Sequence, residues 1–221
     1  MFNKFLYQPI LGVLVFIYNN IAFHDLGLSI ILLTVFIRLI LLPFFYQGAK
    51  AQTKIQRLQP LVKKIQEDHK NNKEKQTHAL LDLYKEHKIN PFSSILLLVI
   101  QLPILIALYR VFLTGLSSSV FINYNFLGVI DLNQKSFLIT ILAVLAQYFQ
   151  GRMMLPKKSG TGQTTGADKT NKAMLLYLGP ALTLIVLFNL PSALGLYWFV
   201  SSLFSLVQQF FINKNLEKHA Q

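Results

Sequence analysis

One charged residue, Arg38, lies inside a long apolar stretch at residues 26–45. About 20 residues at ~1.5 Å rise cover the ~30 Å hydrocarbon core of a bilayer, so this stretch could cross it as one helix. At that rise Arg38 lies roughly 10 Å from the end of the helix. An arginine there costs about 2.5–3.5 kcal/mol and normally faces a bundle interior or a water-filled cavity. We predict that Arg38 marks a site; the alternative is that its side chain snorkels to the nearer membrane surface.

A few other polar or amphipathic residues lie at membrane depth. Thr34 is four residues before Arg38 and therefore on the same helix face. The others are Gln101, Gln147, Gln150 and Trp198. Each alone is explained at least as well by an interhelical hydrogen bond or an interface anchor. Together with Arg38 they would line a wet, positively charged cavity, and its ligand would be an acidic peptide, a lipid headgroup or an anion.

Conventional catalysis finds little support in the sequence. The chain has no cysteine, which excludes disulfides, thiolate metal sites, cysteine nucleophiles and a lipidated cysteine anchor. Its five histidines show no metal-ligand spacing, and acidic residues are absent from the long apolar runs. The glycine-rich residues 160–166 lack the Gly-Lys-Ser/Thr of a phosphate loop. We expect a protein that is not an enzyme, with no cofactor and no metal.

The composition indicates a polytopic membrane protein. Of the 221 residues, 53% are hydrophobic and only 14% are charged, against about 25% in a typical soluble domain. The apolar residues form long uncharged runs instead of being dispersed. The net charge of +12 could suggest a nucleic-acid partner. The positive residues are concentrated in the segments between the apolar runs, as in a membrane protein, so we expect no sequence-specific nucleic-acid partner.

The predicted fold is all-α, with five transmembrane helices, a cytoplasmic helical hairpin and an N-terminal interfacial helix in a single domain. Residues 1–25 form the interfacial helix, although 5–23 could instead be a signal peptide or a first span. The hairpin rests on a 3-4-3 spacing of apolar residues at Ile55, Leu58, Val62 and Ile65. The predicted segments are 26–46 (first span), 47–90 (hairpin), 91–113, 136–154, 173–189 and 192–212 (second to fifth spans), with a flexible linker at 155–172.

The end of the fourth span and the loop before the third span are predicted from segment length and from helix-breaking residues. Residues 173–213 are uncharged and, as one helix, would extend about 60 Å, twice the membrane. They must fold back, and the Asn-Leu-Pro-Ser cluster at 189–192 is the turn near their middle. The loop at 116–135 is polar with an apolar middle, and we expect that middle to rest on the membrane.

The positive charges predict the orientation. With five spans, the hairpin, the linker and the tail from Asn213 lie on one side, and they hold 17 of the 21 lysines and arginines. The opposite side holds only Lys4 and Lys135. By the positive-inside rule the hairpin and the C-terminus are cytoplasmic and the N-terminus is outside. The same asymmetry accounts for the net charge.

Several motifs, in order along nearly the whole chain, resemble the YidC membrane-protein insertases. Residues 33–43 (LTVFIRLILLP) are similar to the first core span of that family with its arginine. The start and exit of the hairpin are similar too, as are the second and fifth spans, on the motifs RLQP (57–60), LYKEHKINP (83–91), IQLPILIALY (100–109), LPSALGLYW (190–198) and QQ (208–209).

The resemblance implies an insertase and chaperone of the bacterial cell membrane. It implies a hydrophilic groove that is open to the cytoplasm and to lipid, closed on the outside, and charged by Arg38. The clients would be nascent membrane proteins with acidic or polar extracytoplasmic segments, whose apolar helices leave along the third and fifth spans into the lipid bilayer. The ribosome and a Sec translocon are the further partners that the cytoplasmic hairpin could recruit.

Two other classes of function compete with this one. A small transporter or channel for anionic solutes would use the same positive cavity, but it would favour inverted repeats, and the sequence shows no self-similar halves. A structural assembly factor would use the spans as an anchor and the cytoplasmic hairpin to recruit a partner.

Overall fold

The computed structural model describes residues 3–90, 92–115, 121–155 and 166–218, and helices dominate those ranges. The N-terminal half holds six helices in this part of the chain: α1 (Gln8–Asn20), α2 (Leu26–Ile40), α3 (Leu42–Arg57), α4 (Gln59–Asp68), α5 (Lys73–Glu86) and α6 (Phe92–Arg110). The other elements are β1 (Asn125–Phe126), β2 (Ile130–Asp131), α7 (Phe137–Met154), α8 (Gly166–Leu187) and α9 (Ser192–Lys218). Short π-helical turns at Asn3–Tyr7 and Val111–Gly115 extend α1 and α6.

The helix expected over residues 26–46 is bent. α2 ends at Ile40, α3 begins at Leu42, and the two meet at an angle of 72°. Pro43 lies in the first turn of α3, where its missing N–H is tolerated, but its ring would clash with a carbonyl one turn earlier in a continuous helix. The prediction of one helix was therefore wrong in this respect, and the chain has a broken span or a re-entrant turn in its place.

By length and composition, two described helices could cross a membrane, Phe137–Met154 and Ser192–Lys218. The bent pair α2 and α3 would make a third. Two shorter apolar helical segments accompany them, Val99–Leu113 and Leu176–Leu187. The chain is thus an all-α membrane protein in its described ranges apart from one tiny β-hairpin, and the five-span count stays a prediction.

The N-terminal helix α1 is packed closely on the helix that carries Arg38. Leu14 and Tyr18 are fully buried, and they belong to the same apolar core as Leu26, Ile30 and Leu33 of α2. Asp25 begins α2 as its N-cap, because its Oδ1 accepts a hydrogen bond of 2.8 Å from the N–H of Leu28. The placement of α1 at the membrane surface stays a prediction.

The predicted hairpin at 47–90 is divided between two environments. α3 packs against α6 and α9, so its Thr53 and Gln56 are buried in the helix bundle. The remaining part of the predicted hairpin, α4 and α5, forms the antiparallel pair, with Val62 and Leu83 as its buried residues. Asn72 caps α5 by accepting a hydrogen bond from the N–H of Lys75. The hairpin proper thus begins one helix later than predicted.

The long C-terminal helix α9 lies at the centre of the helix packing. It contacts α7, α2, α3 and α8. The chain turns at residues 188–191, and α9 begins at Ser192. α8 begins at Gly166, seven residues before the predicted start of the fourth span, so the predicted linker is shorter than expected. Residues 156–165 of that linker lie outside the described residues.

Candidate functional site

Arg38 points into the helix bundle and not along the outer face of α2. Its side chain is buried, with 9% of its surface exposed. Its Nε donates a hydrogen bond of 3.2 Å to Oγ of Ser201 on α9. Its guanidinium carbon lies 4.5 Å from the centroid of the Phe45 ring, in cation–π geometry. The bend after Ile40 gives α3 a new direction, and Phe45 lies in its first turn beside Arg38.

Arg38 faces a cavity of about 310 Å³ between α2, α3, α6, α7 and α9. Five of the six predicted site residues line it: Arg38, Gln101, Gln147, Gln150 and Trp198. Their positions in the sequence span 160 residues, and helix packing brings them to one surface. Thr34 is the exception among the six. It is 1% exposed, it does not line this cavity, and its hydroxyl donates to the carbonyl of Ile30 at 2.6 Å.

The charge of Arg38 has no carboxylate partner among the residues that the structure describes. The cavity lining contains glutamines, serines, Tyr197 and Trp198, and Arg38 is its charged member. These groups solvate a guanidinium but do not neutralise it. A buried positive charge of this kind is costly by itself and gains from a negative ligand. The cavity therefore has the electrostatics of a site for a carboxylate or another anion.

Two of the predicted glutamines also connect helices. Gln101 Nε2 of α6 donates a hydrogen bond of 2.7 Å to the hydroxyl of Tyr197 on α9. Gln147 Oε1 of α7 accepts a hydrogen bond from the Thr183 hydroxyl of α8. Both residues thus make the interhelical hydrogen bond that was the alternative to a role in the site, and both also line the cavity.

Sequence reasoning from the residues missed a polar stripe on α9. The members of this α9 stripe that line the cavity are Tyr197, Ser201, Ser202, Ser205, Gln208 and Gln209. Positions 201, 205 and 208 of this stripe recur at helical spacing on one face of the helix, within the uncharged run at 173–213. That periodicity was a usable signal in the sequence. Gln52 of α3 also lines the cavity, and no feature of the sequence distinguished it from the other polar residues of its segment.

The loop between α6 and α7 packs against the start of α9. The N–H groups of Ser192 and Ala193 donate to the carbonyls of Gln134 (2.9 Å) and Leu132 (3.1 Å). The loop that carries these carbonyls contains the β-hairpin, which the sequence did not predict. Leu127 and Gly128 both have positive φ there, as a type I′ turn requires.

The same loop is fastened to the start of α2. Asp25 Oδ2 accepts a hydrogen bond of 2.7 Å from the N–H of Leu127. The Tyr18 hydroxyl accepts one of 2.9 Å from the N–H of Asn123. Phe121 and Leu132 are buried beneath the loop. The apolar middle of the loop therefore packs in part on the protein itself, while Ile122, Leu127 and Val129 remain exposed.

A second, apolar crevice of about 790 Å³ lies on another side of α9, between that helix and α2 with α3. Val35, Leu203, Phe204 and Val207 are among its lining residues. Gln208 lines both this crevice and the Arg38 cavity. In residues 3–90, 92–115, 121–155 and 166–218, no three His, Asp or Glu side chains gather as a metal ion would require.

Nearly the whole chain matches one known protein family. The sequence profile of a family described as "60Kd inner membrane protein" matches residues 16–219. The chain belongs to this family. The match includes Arg38, every residue of the cavity lining and the loop between α6 and α7.

Several relatives of this chain carry the name "Membrane protein insertase YidC". The protein of Clostridium perfringens is 37% identical over 84% of this chain and 77% of its own length. That of Clostridium tetani is 35% identical over 89% of this chain and 86% of its own length. The longer protein of Syntrophus aciditrophicus is 32% identical over 96% of this chain, which spans 37% of that relative. With the apolar helices, these relatives indicate a protein of the bacterial cell membrane.

Proposed function

We propose that this protein inserts other proteins into the cell membrane and helps them fold, using the Arg38 cavity as a polar halfway position. The observation that carries the proposal is a buried arginine in a polar cavity with no acidic partner among the described residues. Relatives that match most of this chain are named membrane protein insertases, which supports the same function.

The proposed step is a transient ion pair. A client protein places an acidic or polar segment beside Arg38 while its apolar helix is still outside the hydrocarbon core. The polar segment is the obstacle to insertion, because one charge at the bilayer centre costs about 2.5–3.5 kcal/mol. A wet recess of opposite charge lowers that barrier and leaves the two end states unchanged.

The driving force comes from the client. Each Leu, Ile, Phe or Val that enters the bilayer core contributes about 0.3–0.6 kcal/mol, so a span of about 20 residues supplies several kcal/mol without ATP. The client helix leaves the cavity along α7 and α9. Exposed apolar side chains such as Leu142, Phe149 and Leu203 give these two helices a surface on which it can slide.

We infer the topology from charge. Five spans (α2 with α3, α6, α7, α8 and α9) place the α4–α5 hairpin and the C-terminus in the cytoplasm and the N-terminus outside. We expect residues 121–135, which pack against the start of α9, to close the cavity on its outer side. The hairpin would recruit the ribosome or a Sec translocon, and its exposed surface carries basic residues such as Lys64, Lys73 and Lys75.

Reconstitution separates insertion from transport of anionic solutes. The purified protein would be placed in vesicles with one short client that has an acidic flank and no other factor. Protease protection of the client measures insertion, and a fluorescent anion sensor in the same vesicles measures flux. We expect protection of the client and no anion flux above that of empty vesicles. Anion flux without client protection would instead support a transporter.

The assembly-factor hypothesis needs its own variant. A deletion must spare α3, because its Thr53 and Gln56 are buried in the bundle. Replacing residues 61–86 by a short Gly/Ser linker removes most of α4 and α5 alone. We expect this variant to insert the client in vesicles. Loss of insertion in vesicles, with the variant correctly folded, would assign the activity to the hairpin instead of the cavity.

A further inference from the structure

A cavity of about 640 Å³ lies where α3, α7 and α9 end, next to the Arg38 cavity. Its lining includes three basic residues, one from each helix: Arg57, Arg152 and Lys214. Glu217 is the acidic residue that the described lining contains. The site therefore carries a net positive charge, and it is distinct from the Arg38 cavity, with which it shares Met154.

The position of the basic residues favours a shared ligand. A single arginine at the end of an apolar helix is explained by snorkelling. Here three separate helices each contribute one cation to the same cavity. Asn213 Nδ2 donates a hydrogen bond of 2.8 Å to the carbonyl of Met153, so the ends of α9 and α7, which carry Lys214 and Arg152, are held together.

The other wall of this cavity is apolar. Leu155 and Phe210 line it beside the cations, and Phe210 leaves 56% of its surface exposed. A free inorganic anion would make no use of an apolar wall. A molecule with an anionic head and a hydrocarbon tail would contact both halves of the lining.

We propose that this cavity binds the headgroup of an anionic phospholipid, with the lipid phosphate among Arg57, Arg152 and Lys214 and an acyl chain along Phe210. Basic pockets between transmembrane helices on the cytoplasmic side are typical sites for such headgroups. The proposal requires only that these helix ends lie at the membrane surface, and it does not depend on the insertase function.

The test measures lipid binding by the full chain purified in a neutral detergent. Apparent affinities for phosphatidylglycerol and for phosphatidylcholine with the same acyl chains come from lipid titration followed by the thermal unfolding midpoint and by native mass spectrometry. We expect tighter binding of phosphatidylglycerol. The double substitution Arg152→Gln with Lys214→Gln should weaken that binding about 25-fold, at about 5-fold per charge.

Two further variants give the controls. Lys70→Gln with Lys75→Gln removes the same charge from exposed positions around the turn between α4 and α5, and its affinity should stay within about twofold of the wild type. Arg152→Lys with Lys214→Arg keeps the charges and should retain binding. Unfolding midpoints without added lipid show whether each variant is folded. We expect these midpoints to stay close to that of the wild type, because Arg152 and Lys214 are both exposed.

Several results would overturn the proposal. These are equal binding of phosphatidylcholine, full competition by inorganic phosphate, or an equal loss of affinity in the Lys70 and Lys75 control. If the Arg152 and Lys214 variant keeps its lipid affinity but no longer co-sediments with purified ribosomes, the cations contact RNA and the lipid assignment is wrong.

Discussion

Arg38 of α2 and Ser201 of α9 are joined by a hydrogen bond of 3.2 Å across 163 residues of sequence. The bond fixes the guanidinium on the wall of the polar cavity, beside the polar stripe of α9. Phe45 holds its other side. The arginine is therefore positioned by Ser201 of α9 and by Phe45 of α3.

Ser201→Ala should reduce client insertion in reconstituted vesicles a few-fold without abolishing it. The charge of Arg38 remains, but the guanidinium loses one acceptor that orients it, and water in the cavity replaces that acceptor only in part. Ser205→Ala is the matched control, because Ser205 lines the same cavity but donates to the Ser201 carbonyl at 3.0 Å. Equal effects of the two substitutions would show that the Arg38 contact has no special role.

Phe45→Leu should lower the free energy of unfolding by about 1 kcal/mol, because it removes a cation–π contact with a buried arginine. The measurement is thermal or denaturant unfolding in detergent. Phe44→Leu is the control, since Phe44 is the adjacent aromatic residue and is 49% exposed. We expect a larger loss of stability for Phe45→Leu than for Phe44→Leu, and equal losses would contradict a role for the contact with Arg38.

Thr53→Val should cost about 1 kcal/mol of stability. The Thr53 hydroxyl accepts a hydrogen bond of 2.9 Å from Gln209 Nε2 and donates one to the Ala49 carbonyl, so it connects α3 to α9 inside the bundle. Thr77→Val removes an exposed hydroxyl that donates to Lys73 in the α5 helix. If both variants unfold at the same denaturant concentration, the connection between α3 and α9 contributes nothing measurable.

Gly27→Ala should destabilise the protein by about 1–3 kcal/mol, because a methyl group at this position would meet the ring of Phe126. That contact brings the β-hairpin close to the start of α2. Gly12→Ala provides the comparison, since a methyl group at Gly12 has no neighbour within 4 Å. An unchanged unfolding midpoint for Gly27→Ala would mean that the loop is not packed on α2 as described.

Much of the architecture followed from simple patterns. Long uncharged runs led to α7 within one residue and to the start of α9, which continues six residues beyond the predicted end, and the breaker cluster led to the turn before Ser192. A lone arginine in an apolar run and a few polar residues at membrane depth led to five of the fifteen residues that line the cavity. Family membership, expected from the motifs, is confirmed by the profile match and by the relatives.

The features that sequence reasoning missed depend on tertiary packing. The bend after Ile40 was missed because an uninterrupted apolar run does not indicate a change of direction, although Pro43 lies in the first turn of a new helix. Thr34 shares a helix face with Arg38, but its hydroxyl bonds to its own backbone and it does not line the cavity. The β-hairpin has only two residues in each strand, too few for an alternating pattern to emerge.

The most direct test of the central claim combines a change in Arg38 with a change in the client. Insertion into vesicles would be measured for the wild type, Arg38→Ala and Arg38→Lys, each with a client whose flank is acidic and with the same client after Asp→Asn replacement. We predict that Arg38→Ala abolishes insertion of the acidic client, that Arg38→Lys keeps part of it, and that the neutral client is much less sensitive. Normal insertion of the acidic client by Arg38→Ala would contradict the ion-pair mechanism.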